Sequence, residues 1–511
     1  MSEQDNGQVF TLQHPTTNAP EAWQAYWEAQ GWPWRTEPEI DIERQKYLAE
    51  RRAITPDLEK GTYPFREVKL KRADVEWLLA THENGRGPVD WNDKSQRGRE
   101  GLDLRGVDLR DEDLSRLPLA CLNGGLDMMG WVRATEEQRE ALVIHLEKSY
   151  LRGTYLQGSN FCWARLEMAK LDHAHLEMAI LRSCHLEKAS LYKTNLDDSN
   201  LEGTHLEGAS LTYTHLRNAN LDGVNMERAV LYEADLEGAN LRIVNMKNAM
   251  VKAHLENADL VMAQLEGAAL RDSHLEGANL SQAYLDSATQ LNDITLYSSK
   301  YHGVSLADIR WGDTNLAVVD WKQLNMLGDE YEARQKRHTK DKGTLIKSGE
   351  AKDRVTRLRD YERAARANRQ LAVALQSQGL NEDASRFAYR AQLCQRIVLR
   401  LQRRFVSYLF SGFLDLLAGY GYSPGRSVIW YVATILVFAF AYHLLGGLPL
   451  YPPDAFVFSV MSFHGRGFFP ALSQETNLHN PLVMLAAVEA IVGLLIEISF
   501  IATFTQRFFG R

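Results

Sequence analysis

The sequence has little of what marks several functional classes. It holds 4 cysteines in 511 residues and no C-x-x-C pair, which argues against a disulfide framework and a clustered zinc site. The first residues form no apolar stretch, so no cleaved signal peptide is expected. The net charge of -8 gives no case for binding nucleic acid. Extended apolar runs are nearly all confined to the chain after residue 427, so most of the protein is expected to be soluble.

Catalytic motifs are missing as well. The sequence shows no Ser/His/Asp set, no phosphate-binding loop and no paired carboxylates. We therefore predict that the protein is not an enzyme, that it has no catalytic residues and that it needs no cofactor. Its function must be sought in the parts of the chain that carry a regular pattern.

The middle of the chain has a period of five residues. A large apolar residue stands at every fifth position, and a small residue stands two positions before most of them, as in the sequence ANL at 219–221. A helical segment that contains TEEQREALVIHLEKSY is expected to interrupt the pattern at about 120–145. Single steps of four and six residues shift its phase at 251–255 and 285–291, and the fives then continue to Trp321.

A period of five fits neither a helix nor a strand, whose side chains repeat about every 3.6 and every two residues. A chain that turns a corner every five residues can point both the large and the small residue inward. The pattern A-(D/N)-L-x-x over residues 101–325 resembles the pentapeptide-repeat family. The resemblance implies a right-handed quadrilateral β-solenoid with four repeats per coil. The irregular steps are then expected to be bulges or corners.

The tripeptide His-Leu-Glu recurs in the repeats, with its histidine one position before the repeat centre. We expect these histidines to lie on the solvated surface, on the view that no second type of metal ligand recurs with them. No metal site is therefore predicted. The tripeptides begin at His145, His175, His185, His205, His254 and His274.

The segments that flank the repeats are predicted to be helical. Residues 1–100, rich in tryptophan and charge, are expected to form a helical capping region, and a partner-binding domain is the alternative. Residues 326–405 are expected to form a polar linker and a helical hairpin. Gly379 is predicted to stop the first helix of this hairpin, and Asn381 to be the N-cap of the second. An interfacial helix and a turn are predicted for 406–426.

Two apolar runs follow, at 427–448 and 481–505, and each is long enough to span about 30 Å of hydrocarbon. Arginines cluster before the first run and after the second, and few basic residues lie between them. The positive-inside rule then predicts a multi-pass protein of the plasma (inner) membrane with both termini in the cytoplasm. The lipid bilayer is an expected partner, and a plain two-helix anchor is the alternative.

The segment between the two runs contains an apolar stretch too short to span a membrane. Residues 454–470 are predicted to form a pore helix and a filter-like loop, because irregular backbone at membrane depth must be shielded by protein or face water. This layout resembles two-transmembrane, pore-loop channels of the potassium-channel type, which implies a homotetramer. Its selectivity filter would be formed by Ser462, Phe463, His464, Gly465, Arg466 and Gly467.

The filter departs from the family pattern at Phe463, which replaces a threonine, and at Arg466, which replaces a tyrosine. Arg466 could point away from the pore axis and pair with Glu489, or point inward and form a ring of positive charge. We favour the outward orientation, because an inward ring must bear its own repulsion. Glu489, Gly493 and Glu497 are predicted to share one face of the second span as gating and pore-lining residues. A neutral glutamate buried against a neighbouring helix is the alternative for each acid.

The sequence therefore predicts a tetrameric ion channel with a cytoplasmic pentapeptide-repeat domain, cation- or potassium-channel-like in architecture. The alternatives are a membrane-anchored interaction scaffold that does not conduct, and an anion-conducting pore. A DNA mimic that binds topoisomerases, as some pentapeptide-repeat proteins do, ranks last because the repeats mix basic with acidic residues. The expected partners are further copies of the chain, lipid, and a cytoplasmic protein bound by the repeats or the N-terminal region. Nucleic acid is not expected.

Overall fold

The computed structural model describes residues 14–17, 19–338, 349–445, 452–465 and 481–508. Contacts divide the chain into two units, Met1–Gly328 and Asp329–Arg511. The helices are α1 (Pro20–Ala29), α2 (Ile42–Arg52), α3 (Arg72–Ala80), α4 (His82–Gly85), α5 (Met128–Arg133), α6 (Glu136–Leu142), α7 (Gly328–Arg334), α8 (Arg354–Ser377), α9 (Asn381–Leu401), α10 (Phe405–Ala418), α11 (Pro424–Leu445), α12 (Pro452–Phe463) and α13 (Pro481–Phe508). The strands are β1 (Val230–Asp235), β2 (Met250–His254), β3 (Tyr297–Ser298) and β4 (His302–Gly303).

The repeats stack as coils of twenty residues. Parallel bridges join residues twenty positions apart, as in the column Asn200, Asn220 and Asn240. The Leu201 N–H donates to the Asn220 carbonyl at 2.7 Å, and the Asn220 N–H donates to the Ser199 carbonyl at 2.9 Å. Because each repeat has five residues, one coil contains four repeats. We refer to residues 102–323 as the coil stack.

Most repeats turn their corner with a hydrogen bond to the carbonyl of their own central residue. The Thr204 N–H donates to the Leu201 carbonyl at 3.0 Å, and Gly203 between them has a φ of 68°. Leu201 and Thr204 are fully buried, so the large and the small residue both point inward, as predicted. The Thr204 hydroxyl donates to the Leu181 carbonyl at 2.6 Å, which leaves no unpaired group inside the coil at this position.

The segment between α2 and α3 joins the coil stack through its backbone. The Leu70 N–H donates to the Asp108 carbonyl at 3.1 Å, and the Asp108 N–H donates to the Val68 carbonyl at 3.0 Å. Leu70 is fully buried. Residues 68–70, which the sequence assigned to the capping region, therefore extend the coil stack by one short segment.

Helices α5 and α6 are an insertion into the coil stack. Asn123 still bridges Asn160, thirty-seven residues later, across this insertion. The interruption is therefore narrower than the predicted 120–145. The helix expected from TEEQREALVIHLEKSY ends at Leu142, because the residues after it belong to the next coil, which forms a bridge at His145.

The predicted steps of four and six appear as coils of different length. Asp235 bridges His254, nineteen residues later, and the register between β1 and β2 shifts by one residue. Ala269 bridges Gln290, twenty-one residues later. Both irregularities lie where the spacing of the large residues predicts them. They change the length of one coil each and leave the bridges on either side in place.

The predicted run of fives to Trp321 is wrong over residues 297–303. β3 and β4 pair antiparallel there as a small hairpin, and Asn279 bridges Ser305, twenty-six residues later. Tyr301 falls at a repeat centre by its spacing but lies in this inserted hairpin. The insertion adds about one repeat in length, so the spacing alone could not separate a hairpin from a repeat.

At its C-terminal end, the coil stack is capped by the side chain of Gln323, which binds backbone groups of the last coil. The Leu296 N–H donates to Gln323 Oε1 at 3.0 Å, and Gln323 Nε2 donates to the Ile294 carbonyl at 3.2 Å. The Gln323 amide thus takes the hydrogen-bonding place of a further coil. Two short 3-10 turns, Leu316–Val318 and Trp321–Gln323, precede and include this residue.

In the second unit, α8 and α9 pack as a helical hairpin. Gly379, with a φ of 80°, follows the end of α8, as predicted. Asn381 is not the N-cap of α9. The Leu380 N–H folds back to the Leu375 carbonyl at 3.0 Å, so Leu380 holds the cap position and Asn381 is the first helical residue. Burial raises the pKa of the Cys394 thiol in this hairpin to about 12.

The four helices that follow are apolar. α10 ends at a 3-10 turn, Gly419–Gly421. α11 and α13 are long and apolar enough to cross a membrane over Gly425–Leu445 and Pro481–Ile501, with mean hydropathies of 2.0 and 2.2. α12, which lies between them in the chain, has only 12 residues.

Candidate functional site

Helices α11, α12 and α13 pack against one another and leave many large apolar side chains on the outside. Small and polar residues lie at their contacts, including a fully buried serine and a fully buried glutamate. This arrangement is the reverse of a soluble helical bundle, whose apolar side chains face the core. The exposed apolar residues include Leu436, Val437, Phe440, Ile491 and Ile498.

Glu489 of α13 is the centre of the polar contacts. Its exposure is 0%, although it is a carboxylic acid within the most apolar part of the chain. The Tyr442 hydroxyl of α11 donates to Glu489 Oε2 at 2.7 Å. Glu489 Oε1 is hydrogen-bonded to the Ser459 hydroxyl of α12. One glutamate therefore links all three helices.

A count of protons favours a neutral Glu489. The Ser459 hydroxyl has one proton but two oxygens within reach, Glu489 Oε1 and the Ile435 carbonyl, which lies 2.9 Å away. If Glu489 carries a proton, its O–H can donate to Ser459, and Ser459 can then donate to Ile435. Every hydroxyl of the cluster is then satisfied, and no bare charge is buried.

The first predicted filter residues lie at the end of α12. Ser462 and Phe463 are buried in its last turn, and the Phe463 ring packs against Tyr431, with centroids 4.8 Å apart. The Gly465 N–H donates to the Ser462 carbonyl at 2.9 Å, and Gly465 has a φ of 66°. The predicted pore segment is thus helical through Phe463 and ends on a glycine turn. Arg466 and Gly467 lie outside the described residues.

His464 lies beside Glu497, the second acid of α13. Its Nδ1 is 2.8 Å from the Val460 carbonyl, which fixes the proton on that nitrogen. Its Nε2 is 3.1 Å from the Tyr431 hydroxyl and 3.3 Å from Glu497 Oε1. A neutral His464 can accept from Tyr431, whereas a protonated His464 can donate to Glu497. His464 Nε2 thus lies within reach of both the Tyr431 hydroxyl and the Glu497 carboxylate.

Gly493 lets α12 and α13 approach closely. A Cβ atom built on Gly493 would overlap the Phe463 carbonyl oxygen. No side chain larger than hydrogen fits there without moving α12. The sequence predicted a gating or pore-lining role for Gly493, and the structure places it at this contact within a continuous α13.

A second polar cluster holds the turn before α11. Asp415 of α10 accepts from Arg396 at 2.8 Å and from the Tyr389 hydroxyl at 2.9 Å, both on α9. Arg426, in the first turn of α11, lies 3.4 Å from the same carboxylate. Burial and the hydrogen bond to Asp415 raise the pKa of Tyr389. This carboxylate joins α9, α10 and α11 around the turn Gly419–Gly421.

The sequence singled out Glu489 as a functional residue but missed its hydrogen-bond partners. Both carboxylate oxygens of Glu489 are engaged, by Tyr442 and Ser459. Arg466 lies outside the described residues, so its pairing with Glu489 stays a prediction. Tyr442 and Ser459 lie forty-seven and thirty residues away in the chain. The available signal was the presence of hydroxyl groups inside otherwise apolar helices, which must find acceptors.

The repeats match a known protein family. Residues 169–208, 209–248 and 250–289 match the family described as "Pentapeptide repeats (8 copies)". The middle of the chain therefore contains pentapeptide repeats, as predicted. No curated protein sequence matches the chain.

Solved structures of pentapeptide repeat proteins are similar to part of the chain. HetL, which is involved in heterocyst differentiation regulation in the cyanobacterium Nostoc sp. strain PCC 7120, is 24% identical over 48% of this chain and 95% of HetL, with a TM-score of 0.39. The protein alr5209 from Nostoc PCC 7120 is 30% identical over 24% of this chain and 84% of alr5209, with a TM-score of 0.17. QnrB1, a plasmid-mediated fluoroquinolone resistance protein, is 16% identical over 43% of this chain and 95% of QnrB1, with a TM-score of 0.22.

Proposed function

We propose that four copies of this chain form an ion-conducting pore in the plasma (inner) membrane, with both termini in the cytoplasm. The observation that carries the proposal is α12, an apolar helix of 12 residues held by polar contacts between two helices of membrane-spanning length. A helix of this length reaches about 18 Å and cannot cross about 30 Å of hydrocarbon. It would therefore enter and leave on the same side of the membrane, as a pore helix does.

The turn after α12 supports assembly into an oligomer. Backbone groups at membrane depth need a hydrogen-bond partner or water, and one copy cannot shield its own turn from lipid. His464 and Glu497 are only half-buried in one chain, although both are polar. Four copies around one axis would bring such residues against a neighbouring copy or a water-filled path.

We propose that this pore favours cations. A ring of Glu497 carboxylates near the path would attract them, and the carbonyls of the turn would replace water around the ion. A ring of Arg466 side chains pointing inward would have the opposite effect and select anions. Conduction itself requires no enzyme activity and no cofactor, only the permeant ion.

The coil stack would act from the cytoplasm, in assembly or in gating through a protein partner rather than nucleic acid. We propose that its coils form the right-handed, four-sided solenoid implied by the family. Asp415 supports a route for gating, because its contacts join α9 to the first turn of α11. Movement of the α8–α9 hairpin would then reach the pore helices directly.

Purified protein in planar bilayers, with ion-substitution currents, tests this proposal. We expect a cation current, and Glu497→Gln should move the reversal potential toward lower cation preference. Glu382→Gln, an exposed acid at the start of α9, is the matched control and should leave the reversal potential unchanged.

Two results would contradict the proposal. A chloride current whose selectivity reverses in Arg466→Gln would establish the anion-conducting alternative. A protein that is monomeric or dimeric by mass in mild detergent, and carries no current, would leave the membrane-anchored scaffold as the better interpretation.

A further inference from the structure

Two His-Leu-Glu tripeptides lie in successive coils, on the same side of the coil stack. His254 and His274 form a parallel bridge, and their rings stack with centroids 4.8 Å apart and planes at 4°. His254 Nδ1 lies 3.2 Å from Glu256 Oε1. His274 Nδ1 lies 3.7 Å from Glu276 Oε1. A second type of metal ligand, the glutamate two residues on, therefore does recur with the histidines, and the reason given above against a metal site is wrong.

The second oxygens of these glutamates are buried without a donor. Glu256 Oε2 and Glu276 Oε2 have no hydrogen-bond partner among the described residues, and the Glu276 side chain is only 8% exposed. A buried carboxylate oxygen is normally satisfied by a donor or a cation. The second oxygens of Glu177, Glu187 and Glu207 are in the same situation, so these carboxylates share an acceptor that the described residues do not satisfy.

The preceding coil shows how such a carboxylate is otherwise neutralised. Glu237 stands nineteen residues before Glu256 and lies 3.3 Å from Lys300 Nζ, and the Tyr301 hydroxyl donates to it. Glu256 and Glu276 have a histidine, rather than a lysine, among their described contacts. A cation bound by the histidines would offset the charge of Glu256 and Glu276, as Lys300 offsets the charge of Glu237.

We propose that His254, Glu256 and His274 bind a divalent metal ion of the zinc class. Their ligand atoms all lie within 4.8 Å of one another. Bonds of about 2.0–2.1 Å to a tetrahedral ion require ligand separations of about 3.4 Å, which small rotations of the half-exposed imidazoles can supply. Two imidazoles favour Zn²⁺, Co²⁺ or Ni²⁺ over Mg²⁺ and Ca²⁺, which prefer oxygen ligands. Glu276 or water would fill the fourth position.

The bound ion would tie two successive coils together. It binds side chains that meet only when the coils are stacked, so it would stabilise the folded coil stack by mass action. The site lies within the coil stack and does not depend on whether the protein conducts ions.

His175 is a matched control for this site. It belongs to the same tripeptide, and its Nδ1 lies 3.5 Å from Glu177 Oε1. Its ring, however, stacks on Tyr155, with centroids 5.0 Å apart, and its bridge in the next coil is to Asn195. Among the described residues, His175 thus has the glutamate but not a second histidine bridged to it in the next coil.

The test uses untagged full-length protein in detergent, stripped of metal and titrated with Zn²⁺ by calorimetry, with bound zinc counted by elemental analysis. The variants are His254→Asn with His274→Asn, and the control His175→Asn. Asn195 already occupies the equivalent position in another coil of the same column, so the coils should still fold with asparagine there. We expect the double variant to lose one zinc equivalent, or to bind it at least about tenfold more weakly, and the control to match the wild type.

Thermal unfolding provides a second measurement. Zn²⁺ should raise the Tm of the wild type and of His175→Asn, and should raise it less in the double variant. The other side of the coil stack holds two His/Glu groups, around His185 and His205, which contribute equally to all three proteins. Equal zinc content in all three proteins would overturn the proposal. So would a Tm shift produced equally by Mg²⁺, because it would indicate binding by carboxylates alone.

Discussion

In the coil stack, apolar side chains point inward, whereas in helices α11 and α13 they point outward. Leu221 of the coils has an exposure of 0%, and Leu436 of α11 has an exposure of 54%. The polar groups are reversed in the same way. The histidines of the coils are partly exposed, whereas Glu489, Ser459 and Tyr442 are enclosed between helices.

This reversal indicates that the two regions are built for different solvents. In water, burial of leucine is favourable and a carboxylate is best left on the surface. In hydrocarbon, an outward leucine costs nothing, and polar groups must find their partners within the protein. The reversal supports the proposed membrane location of α11 and α13 independently of their length.

The same substitution made in each region should give the largest difference in stability between them. Leu221→Ala leaves a cavity inside a coil and should lower the free energy of unfolding of the coil stack by about 2–5 kcal/mol. Leu436→Ala removes an outward side chain and should change the stability in detergent by less than about 0.5 kcal/mol. Thermal unfolding followed by circular dichroism measures both. Equal losses would mean that the outward face of α11 is packed against protein.

Gly493→Ala tests the close contact between α12 and α13. The added methyl group would overlap the Phe463 carbonyl oxygen, and such overpacking typically costs about 1–3 kcal/mol. Gly412→Ala is the matched control, because Gly412 lies within α10 and its Cβ would meet nothing within 4 Å. The control should be neutral or stabilising, by up to about 1 kcal/mol, because alanine is the better helix former. A tolerated Gly493→Ala would show that α12 can shift away from α13.

Tyr442→Phe tests the enclosed polar cluster with a smaller change. It removes the hydroxyl that donates to Glu489 and should lower the thermal stability in detergent by about 1 kcal/mol. Tyr408→Phe, on α10 outside this cluster, is the control and should have little effect. A Tyr442→Phe protein as stable as the wild type would mean that Glu489 finds another donor.

The smallest expected effect is the acid response of an ion pair on the coil surface. A hydrogen bond from Arg110 lowers the pKa of Asp108 to about 2. Because the folded pKa lies below the unfolded value, the pair stabilises the protein above about pH 4 and loses this effect as the pH falls toward 2. Arg110 is half-exposed, so the contribution should not exceed about 1 kcal/mol. Arg110→Ala should flatten the stability profile in this range, and an unchanged profile would contradict it.

The coil stack could be predicted largely from the sequence, because its period specifies which residues point inward. Leu201 and Thr204 lie where the spacing places them, and even the coils of nineteen and twenty-one residues follow from single steps in the pattern. The hairpin at 297–303 could not be predicted. Tyr301 has the spacing of a repeat centre, and only the antiparallel pairing of β3 with β4 shows that it lies in a hairpin rather than in a repeat.

The candidate site could be predicted only in part. The choice of Glu489 follows from the sequence, because it is an acid within an apolar run. Its hydrogen bonds to Tyr442 and Ser459 do not, because those residues come from separate helices with no periodic relation to it. The geometry of His464 against Glu497 was beyond prediction for the same reason, since the contact depends on where α12 ends.

Both ends of the coil stack are covered, by residues 68–70 at one end and by Gln323 at the other. This bears on whether the protein can associate end to end. A stack of parallel coils has no intrinsic length, because every coil presents unpaired N–H and C=O groups that another coil can bind. At the first coil, Leu70 and Val68 occupy groups of Asp108, and at the last coil the Gln323 amide occupies those of Ile294 and Leu296. These end pieces occupy groups that a further coil could bind, so a truncation that removed them would be expected to produce end-to-end aggregates.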